Sequence, residues 1–426
     1  MGVLNKWKRH ICAGLSFVLI LASAINMTAC SVSLSQVKAR DLMDGVSSKT
    51  MKGKETDDRF IDNMARFSLE LFKKTTDEKD NALISPLSVM LALAMTANGA
   101  DKETLSQMEK VLGNDISIEE LNGYLYSYVN SLPSQKKSKL NIANSIWFRD
   151  NGNRLTVEQE FLQKNADYYH ASAYKSAFDS QTLQDINSWV KQHTDGLIDK
   201  IVDQIDAETV MYLINAMVFD GEWENVYTKN DLYQGEFFTV DGTKQPADFM
   251  RSDESIYLDD GKATGFIKPY AGGHYSFAAL VPNEGISIGD YIQSLTGKGF
   301  LNTIRNAENT AVNSAMPKFS YDYTIPMNDA LKELGMPEAF LSDKADFTRL
   351  GKSPDGNIYI GEVLHKTFIS VDERGTKAGA VTKVEMKTEG AMETKYVKLD
   401  KPFVYAIIDN STNLPVFIGT VMSMEK

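Results

Sequence analysis

One stretch near the C-terminal end decides the fold: Glu373-Arg374-Gly375-Thr376-Lys377-Ala378-Gly379-Ala380-Val381-Thr382-Lys383-Val384-Glu385-Met386-Lys387. Alternate residues from Thr376 to Met386 are small or apolar, and the residues between them are polar apart from Gly379 and Val381. Successive side chains of a β-strand point to opposite faces. This period of two therefore predicts a half-buried strand.

The same stretch runs on without turn residues into Thr388-Glu389-Gly390-Ala391-Met392-Glu393, a charged sequence typical of an exposed loop. A segment patterned for burial but placed in a loop indicates two alternative states. The pattern alone fits equally well a plain amphipathic edge strand followed by a long turn.

This passage resembles the hinge of the serpin reactive-centre loop, where a Glu, a Gly and a Thr lead into small residues. Other stretches resemble serpin landmarks in the family's order: Asn81-Ala82-Leu83-Ile84-Ser85-Pro86-Leu87-Ser88, Asn144-Ser145-Ile146-Trp147-Phe148, Leu213-Ile214-Asn215-Ala216 with Phe219, Gly221 and Trp223, Pro317-Lys318-Phe319, Leu334-Gly335-Met336, Ala345-Asp346-Phe347, His365-Lys366 and Lys401-Pro402-Phe403. The resemblance implies one α+β serpin domain over residues 57–426, with three β-sheets, eight to nine helices and an exposed reactive-centre loop.

Local patterns agree with a mixed fold. Ser85 before Pro86 is a helix N-cap arrangement, and residues 141–148, 210–219 and 277–281 are apolar and β-prone. A chain of 426 residues would by length alone favour two domains. No linker-like segment interrupts it after residue 60, which favours one. The net charge of −12 argues against a non-specific nucleic-acid binder.

The resemblance implies a suicide-substrate inhibitor rather than an enzyme. In serpins a protease attacks the loop, and the cut loop inserts into the central sheet as a new strand. A charged or bulky residue at Thr376 or Ala378 would block insertion, and neither position carries one. We therefore expect an inhibitory, monomeric serpin whose partner is a serine protease or a papain-like cysteine protease. The alternative is a non-inhibitory serpin acting as a binding or structural lipoprotein.

The resemblance also assigns the loop residues. The hinge comprises Glu373, Gly375, Thr376, Ala378 and Ala380. Counting from the hinge places the scissile bond after Glu389, which suits a glutamyl endopeptidase. Counting back from Pro402 points to Ala391, which with Met392 suits an elastase-like enzyme. Lys387, which suits trypsin-like enzymes, and Met386 are further candidates, so the cleaved bond stays open.

Two polar clusters correspond to the places where the serpin sheet opens. The first, named the shutter cluster, comprises Ser85, Ser88, Asn215 and His365. The second, named the breach cluster, comprises Lys318, Glu373 and Trp223. Ordinary core packing would explain the same residues without any functional role. The functional expectation is that they hold two alternative arrangements of one sheet.

Enzyme and metal motifs are weak. Gly285, Ser287 and Gly289 match the nucleophile-elbow spacing of hydrolases, but Pro282 and Asn283 end the preceding strand, so Ser287 is expected to begin a helix. The five histidines show no metal-ligand spacing. No phosphate-binding loop is present, and we expect neither a metal nor a cofactor. A lipid-anchored hydrolase using Ser287 is the third hypothesis.

The N-terminus carries export features. Lys6, Lys8 and Arg9 precede an apolar run of about 14 residues from Ile11 to Ala24. A membrane anchor would need roughly 20 such residues, so residues 1–29 are predicted to be a signal peptide.

Residues 27–30, Met-Thr-Ala-Cys, resemble a bacterial lipoprotein box, although Met27 stands where Leu is usual. The one other cysteine, Cys12, lies in the predicted signal peptide, so no internal disulfide would remain. We expect lipidation at Cys30, with an ordinary signal-peptidase site as the alternative.

Residues 30–56 are polar and are predicted to form a flexible tether. The expected location is the outer membrane of a Gram-negative cell, facing either the periplasm or the surface.

Overall fold

The computed structural model describes residues 37–425, apart from 151, 153, 207, 355 and 377–393. The described residues form nine α-helices: α1 (Asp58–Thr75), α2 (Pro86–Ala97), α3 (Lys102–Leu112), α4 (Ile118–Ser131), α5 (Gln159–Tyr169), α6 (Ser180–His193), α7 (Ile288–Ser294), α8 (Gly297–Arg305) and α9 (Asn328–Leu334). Their strands are β1 (Arg40–Asp41), β2 (Ala82–Ile84), β3 (Ser138–Arg149), β4 (Thr156–Val157), β5 (Ser172–Ser176), β6 (Met211–Glu222), β7 (Leu232–Phe238), β8 (Lys244–Asp259), β9 (Ala263–Pro269), β10 (Tyr275–Pro282), β11 (Glu308–Pro317), β12 (Phe319–Pro326), β13 (Gly351–Lys352), β14 (Glu362–Val371), β15 (Gly375–Thr376), β16 (Lys395–Lys398), β17 (Phe403–Asp409) and β18 (Pro415–Val421). Two short 3-10 helices span Lys229–Asp231 and Pro337–Phe340.

Helix α2 begins where the sequence predicts. The Ser85 side chain accepts a hydrogen bond from the backbone N–H of Ser88, and Pro86 occupies the first turn. Such a cap satisfies a helix N–H group that has no partner inside the helix. Every residue of α2 is buried, so the helix lies in the centre of the core.

The seven-stranded sheet has the order β1-β5-β3-β6-β15-β14-β12. The apolar segments predicted as central strands form β3 and β6, which pair along nearly their full lengths. Strands β6 and β14 also pair directly and in parallel, from Tyr212 opposite Glu362 to Met217 opposite Thr367. Beyond that point both strands pair with β15. We call this boundary between β6 and β14 the seam.

The nine-stranded sheet has the order β16-β11-β8-β9-β10-β17-β18-β2, with β7 paired to β8. A two-stranded sheet joins β13 and β4. The described residues thus show the mixed α and β architecture with three sheets that the sequence predicts, and the helix count agrees as well.

The described chain from Val37 onward forms one compact unit with two apolar clusters. The larger cluster includes Phe219, Met217 and Leu213 of β6, on the face that turns toward the nine-stranded sheet. The smaller one joins the opposite face of β6 to α6, through residues such as Ile214 and Trp189. Alternate residues of β6 therefore belong to different clusters, as the period of a strand requires.

Residues 37–56, named the N-terminal strap, differ from the predicted tether. The Asp185 carboxylate of α6 accepts hydrogen bonds from the backbone N–H groups of Lys38 and Ala39, at 3.0 and 2.7 Å. Strand β1 then pairs with β5, and the backbone N–H of Lys54 donates to the carbonyl of Gly123 at 2.9 Å. Polar composition suggested a free chain, but the strap is held by backbone hydrogen bonds, which depend little on side-chain type.

Candidate functional site

The predicted hinge enters the seam at one end of the seven-stranded sheet. Gly375 pairs with Glu222 and Thr376 with Gly221, both on β6 and antiparallel. On its other side, Thr376 pairs with Val371 of β14. Two hinge residues therefore already form a short strand between β6 and β14.

Gly375 is required at this position by close backbone contact. A Cβ atom placed on Gly375 would lie 2.0 Å from the carbonyl oxygen of Gly221. No side chain fits in that space, since even Ala adds a Cβ. The glycine that the sequence places in the hinge is thus explained by the approach of β15 to β6.

Thr376 points inward, with only 1% of its surface exposed. Its hydroxyl forms a hydrogen bond with the Tyr270 hydroxyl at 2.5 Å. Tyr270 stacks on Trp223, with ring centroids 4.5 Å apart. The first inserted side chain is therefore held by a tyrosine and a tryptophan beneath the sheet.

The breach cluster surrounds the hinge. Lys318 Nζ lies 2.6 Å from Glu373 Oε2, and this lysine lowers the pKa of Glu373 below its usual value. Trp223 donates its backbone N–H to the carbonyl of Arg374 at 2.8 Å and its indole N–H to the carbonyl of Asp372 at 2.9 Å. The three predicted breach residues are thus in one place and contact the hinge.

Sequence reasoning missed a buried ion pair below the breach. Lys268 Nζ lies 2.7 Å from Glu254 Oε1, and both side chains are less than a tenth exposed. The same ammonium group lies 4.4 Å from the ring centroid of Tyr227, whose backbone N–H donates to the carbonyl of Glu373. Lys268 follows an apolar run in the sequence, but nothing in the sequence indicates its partner.

The shutter cluster lies across the seam farther from the hinge. His365 of β14 stands directly opposite Asn215 of β6 in the parallel ladder. Its Nε2 accepts a hydrogen bond from the backbone N–H of Ser85 at 2.9 Å. Its Nδ1 hydrogen-bonds to Asn215 Oδ1, so Nδ1 carries the proton of a neutral ring.

Burial of His365 lowers its pKa to about 3. Protonation at Nε2 would bring a second hydrogen against the donor N–H of Ser85. The imidazole is therefore neutral at physiological pH and joins the two sides of the seam through one donor and one acceptor.

Asn215 extends the shutter cluster. Its side-chain amide donates to Ser88 Oγ and to Asn144 Oδ1, each at 2.5 Å. Ser85 Oγ donates to the sulfur of Met217 at 2.6 Å. Asn144 belongs to a landmark stretch of the sequence, but its place in this network was not predicted.

A family model described as serpin, serine protease inhibitor, matches residues 62–424. The chain belongs to the serpin family. The crystal structure of a thermophilic serpin, tengpin, in its native state is 58% identical, with a TM-score of 0.88 over 91% of this chain and all of that one. The latent state of tengpin gives 57% identity and a TM-score of 0.78 over 88% of this chain and all of that one.

More distant serpins match as well. An uncharacterized serpin-like protein of Thermococcus kodakarensis is 29% identical over 84% of each chain. Thyroxine-binding globulin bound to thyroxine has a TM-score of 0.76 over 86% of this chain and all of that one, at 22% identity, which shows a shared fold alone. Serpins are in general protease inhibitors rather than enzymes.

The serpin loop itself lies outside the described residues. Of the predicted hinge, Ala378 and Ala380 fall there, as do the scissile-bond candidates Met386, Lys387, Glu389, Ala391 and Met392. The signal peptide and the lipidation site Cys30 do too. These assignments stay predictions.

Ser287 begins a helix, as the sequence predicts. Its hydroxyl accepts a hydrogen bond from the backbone N–H of Asp290 at 3.0 Å and donates to the Asp290 carboxylate at 2.9 Å, so it caps α7.

Among the described residues, no group of three or more His, Cys, Asp or Glu side chains is placed to hold a metal. None of the described helices is long and apolar enough to cross a membrane.

Proposed function

We propose that this serpin is inhibitory and traps a protease by inserting its cleaved reactive-centre loop into the seven-stranded sheet. The observation that carries the proposal is the pairing of Gly375 and Thr376 between β6 and β14. Insertion needs a strand that enters antiparallel to both neighbours with its small side chains inward. The first two residues already have that direction, and Thr376 already points inward.

The register of β15 supports full insertion. Continued along the seam, it places Ala378 opposite Phe219 and Ala380 opposite Met217. Both partners are buried on the inward face of β6. Alanine fits beside these large side chains, whereas a charge would be buried there without a partner.

The same register reaches the shutter cluster. Thr382 would lie between Asn215 and His365, which now hydrogen-bond to each other. Residues from Ala380 onward would replace the direct pairing of β6 with β14. Insertion therefore replaces one ladder of strand hydrogen bonds with two ladders. Each hydrogen bond contributes roughly 0.5–1.5 kcal/mol net.

The test is incubation of the purified protein with trypsin, pancreatic elastase, neutrophil elastase and a glutamyl endopeptidase. We expect at least one protease to form a complex that survives a denaturing gel. Mass spectrometry of the released C-terminal peptide should show a new terminus at Lys387, Thr388, Gly390, Met392 or Glu393, which identifies the bond used. A papain-like protease belongs in the panel as well.

The alternative function is a non-inhibitory serpin that binds a ligand or has a structural role. The fold alone does not separate these classes, because thyroxine-binding globulin shares it. The hinge sequence favours inhibition. Clean cleavage by every protease, with no stable complex, would contradict inhibition and favour the alternative.

We also propose that the protein is exported as a monomeric lipoprotein, acylated at Cys30 and attached to the outer membrane of a Gram-negative cell. The support is the residue pattern before Cys30 and the lack of any other cysteine outside the predicted signal peptide. Labelling with a fatty-acid analogue should mark the wild type but not a Cys30→Ser variant. Recovery of the unlabelled wild type in the soluble fraction would contradict the anchor.

A further inference from the structure

Tyr396 is the most exposed large apolar side chain among the described residues. The residue is 78% exposed, against 53% for Val240 and 39% for Leu341. Within the described part of the chain, its side chain makes no hydrogen bond and no ring contact. The fold therefore gives no reason for an aromatic side chain at this position.

Its neighbours on β16 can be explained by the fold. Strand β16 is an edge strand, paired only with β11 among the described strands. Exposed lysines on edge strands discourage unwanted pairing with other chains, which accounts for Lys398. Lys395 is half-buried, with its Nζ 5.6 Å from the ring centroid of Tyr257. An exposed tyrosine differs from these lysines, because Tyr is enriched at protein–protein interfaces and Lys is depleted there.

Tyr396 continues a row of side chains across three strands. It lies opposite Asn313 of β11, which lies opposite Asp253 of β8. Asn313 Nδ2 donates to Asp253 Oδ1 at 3.0 Å. In the next row on the same face, Arg251 and Lys398 flank the buried Ala315. We name the surface formed by Tyr396, Arg251 and Lys398 the edge patch.

The cationic side chains of the edge patch contact aromatic rings, and Lys398 also forms an ion pair. The Arg251 guanidinium lies 4.7 Å from the ring centroid of Tyr233. Lys398 Nζ lies 5.4 Å from the ring centroid of Phe249 and 2.9 Å from Asp400 Oδ2. Contacts of this kind hold flexible cationic side chains in place. The patch thus presents one aromatic ring beside the Arg251 guanidinium and the Lys398–Asp400 ion pair.

The edge patch follows the reactive-centre loop closely in the chain. Tyr396 comes seven residues after Glu389, the first scissile-bond candidate. Seven extended residues span at most about 25 Å. A protease of about 220 residues has a radius of gyration of roughly 17 Å. An enzyme bound at the scissile bond therefore extends far enough to reach this surface.

We propose that the edge patch is a second contact surface for the target protease, used while the loop occupies the active site. The inference rests on the proposed inhibitory function. The partner surface it fits is an apolar depression bordered by a carboxylate, since Tyr396 offers a ring and Arg251 offers a cation. Contact there speeds capture without changing loop insertion.

The test uses the panel protease that forms the covalent complex fastest, with its catalytic serine changed to alanine so that binding stays reversible. The variant Tyr396→Thr keeps a β-branched residue in the strand, and Leu341→Thr is the matched control on another surface. We expect Tyr396→Thr to raise Kd about tenfold and Leu341→Thr to leave it within twofold. Arg251→Ala should raise Kd at low salt and less in 0.5 M NaCl, because salt screens exposed charges.

Thermal midpoints within the error of the wild type will show that the variants fold, and Tyr396→Phe should bind nearly as the wild type does. A Kd within twofold of the wild type for Tyr396→Thr would overturn the inference while leaving the proposed function intact. Loss of self-association in that variant, with protease binding unchanged, would assign the patch to a second copy instead and overturn it too. Failure of the wild type to trap any protease would reject the proposed function, and this inference with it.

Discussion

The shutter cluster and the breach cluster hold the same seam with different chemistry. His365, Asn215, Ser85 and Ser88 are fully buried and joined by hydrogen bonds between neutral groups. At the breach, Lys318 and Glu373 form an ion pair whose side chains are 27% and 37% exposed. A buried neutral network is expensive to leave half satisfied, whereas a part-exposed ion pair contributes little. The seam should therefore open first at the breach and resist opening at the shutter.

The largest effect is expected at Thr376, the first buried residue of the strand whose insertion would separate β6 from β14. Thr376→Arg would place a charge beside Tyr270 in a site with 1% exposure, and such burial is strongly unfavourable. The variant should be cleaved as a substrate with almost no stable complex on a denaturing gel. Thr376→Val, of similar size, should still trap the protease. A complex yield equal to the wild type for the arginine variant would refute insertion at this hinge.

The next effect is expected at the shutter. His365→Ala leaves the N–H of Ser85 and the side-chain oxygen of Asn215 without their partners, at about 1–3 kcal/mol for each group. A loss of about 3 kcal/mol from the native state alone speeds its conversion up to about 100-fold. Native gels after warming should show latent or polymeric protein. If the variant stays monomeric and fully inhibitory, the shutter cluster does not resist opening of the seam.

Acidification from pH 6.5 to pH 5 should weaken the shutter cluster, whereas the breach ion pair should be lost only at lower pH, because Lys318 lowers the pKa of Glu373. Burial lowers the pKa of His365 to about 3, while an unfolded histidine titrates near 6.5. Between these values the unfolded chain binds a proton that the native state excludes, so stability falls as the pH drops below about 6.5. From pH 6.5 to pH 5 the free energy of unfolding should fall by about 2 kcal/mol, because each pH unit in this range costs up to about 1.36 kcal/mol.

Urea unfolding at both pH values measures this loss, and His365→Gln separates it from the carboxylates. The glutamine variant should lose less stability on acidification than the wild type. An identical pH dependence in the two proteins would show that His365 does not titrate in this way.

The smallest effect is expected at the breach ion pair. Lys318→Met should cost no more than about 1 kcal/mol and speed conversion by at most about fivefold, because the pair is part exposed. In the wild type, 0.5 M NaCl should have a similar effect. The matched control is Lys102→Met, which breaks a surface pair with Asp346 far along the chain. A larger effect of Lys318→Met than of His365→Ala would reverse the order proposed for the two clusters.

The sequence predicted the parts of the site that follow local rules or family landmarks. The capping serine of α2, the inward Thr376 and the glycine before it could be placed because each has a pattern or a backbone reason. Tyr270 could not, since its hydroxyl meets Thr376 from 106 positions away in the chain. The ion pair of Lys268 and Glu254 was not predicted for the same reason, because it joins β9 to β8 and depends on tertiary packing.

The N-terminal strap was mispredicted because its composition is polar. Its contacts use backbone N–H groups, and their acceptors lie far along the chain on α6 and α4. The composition of a segment indicates whether it can form a core of its own. It does not indicate whether the folded domain offers hydrogen-bond acceptors to that segment, and such acceptors hold the strap.

The strap also sets the distance at which an anchored molecule would stand from a lipid surface. A free chain from Cys30 to Asp57 could span about 90 Å, whereas the strap leaves only the seven residues from Cys30 to Val37, which span at most about 25 Å. If Cys30 carries a lipid, the domain would be confined to a thin layer above the bilayer. Proteases free in the bulk fluid would then be poor targets, and those diffusing along or through that membrane surface would be favoured.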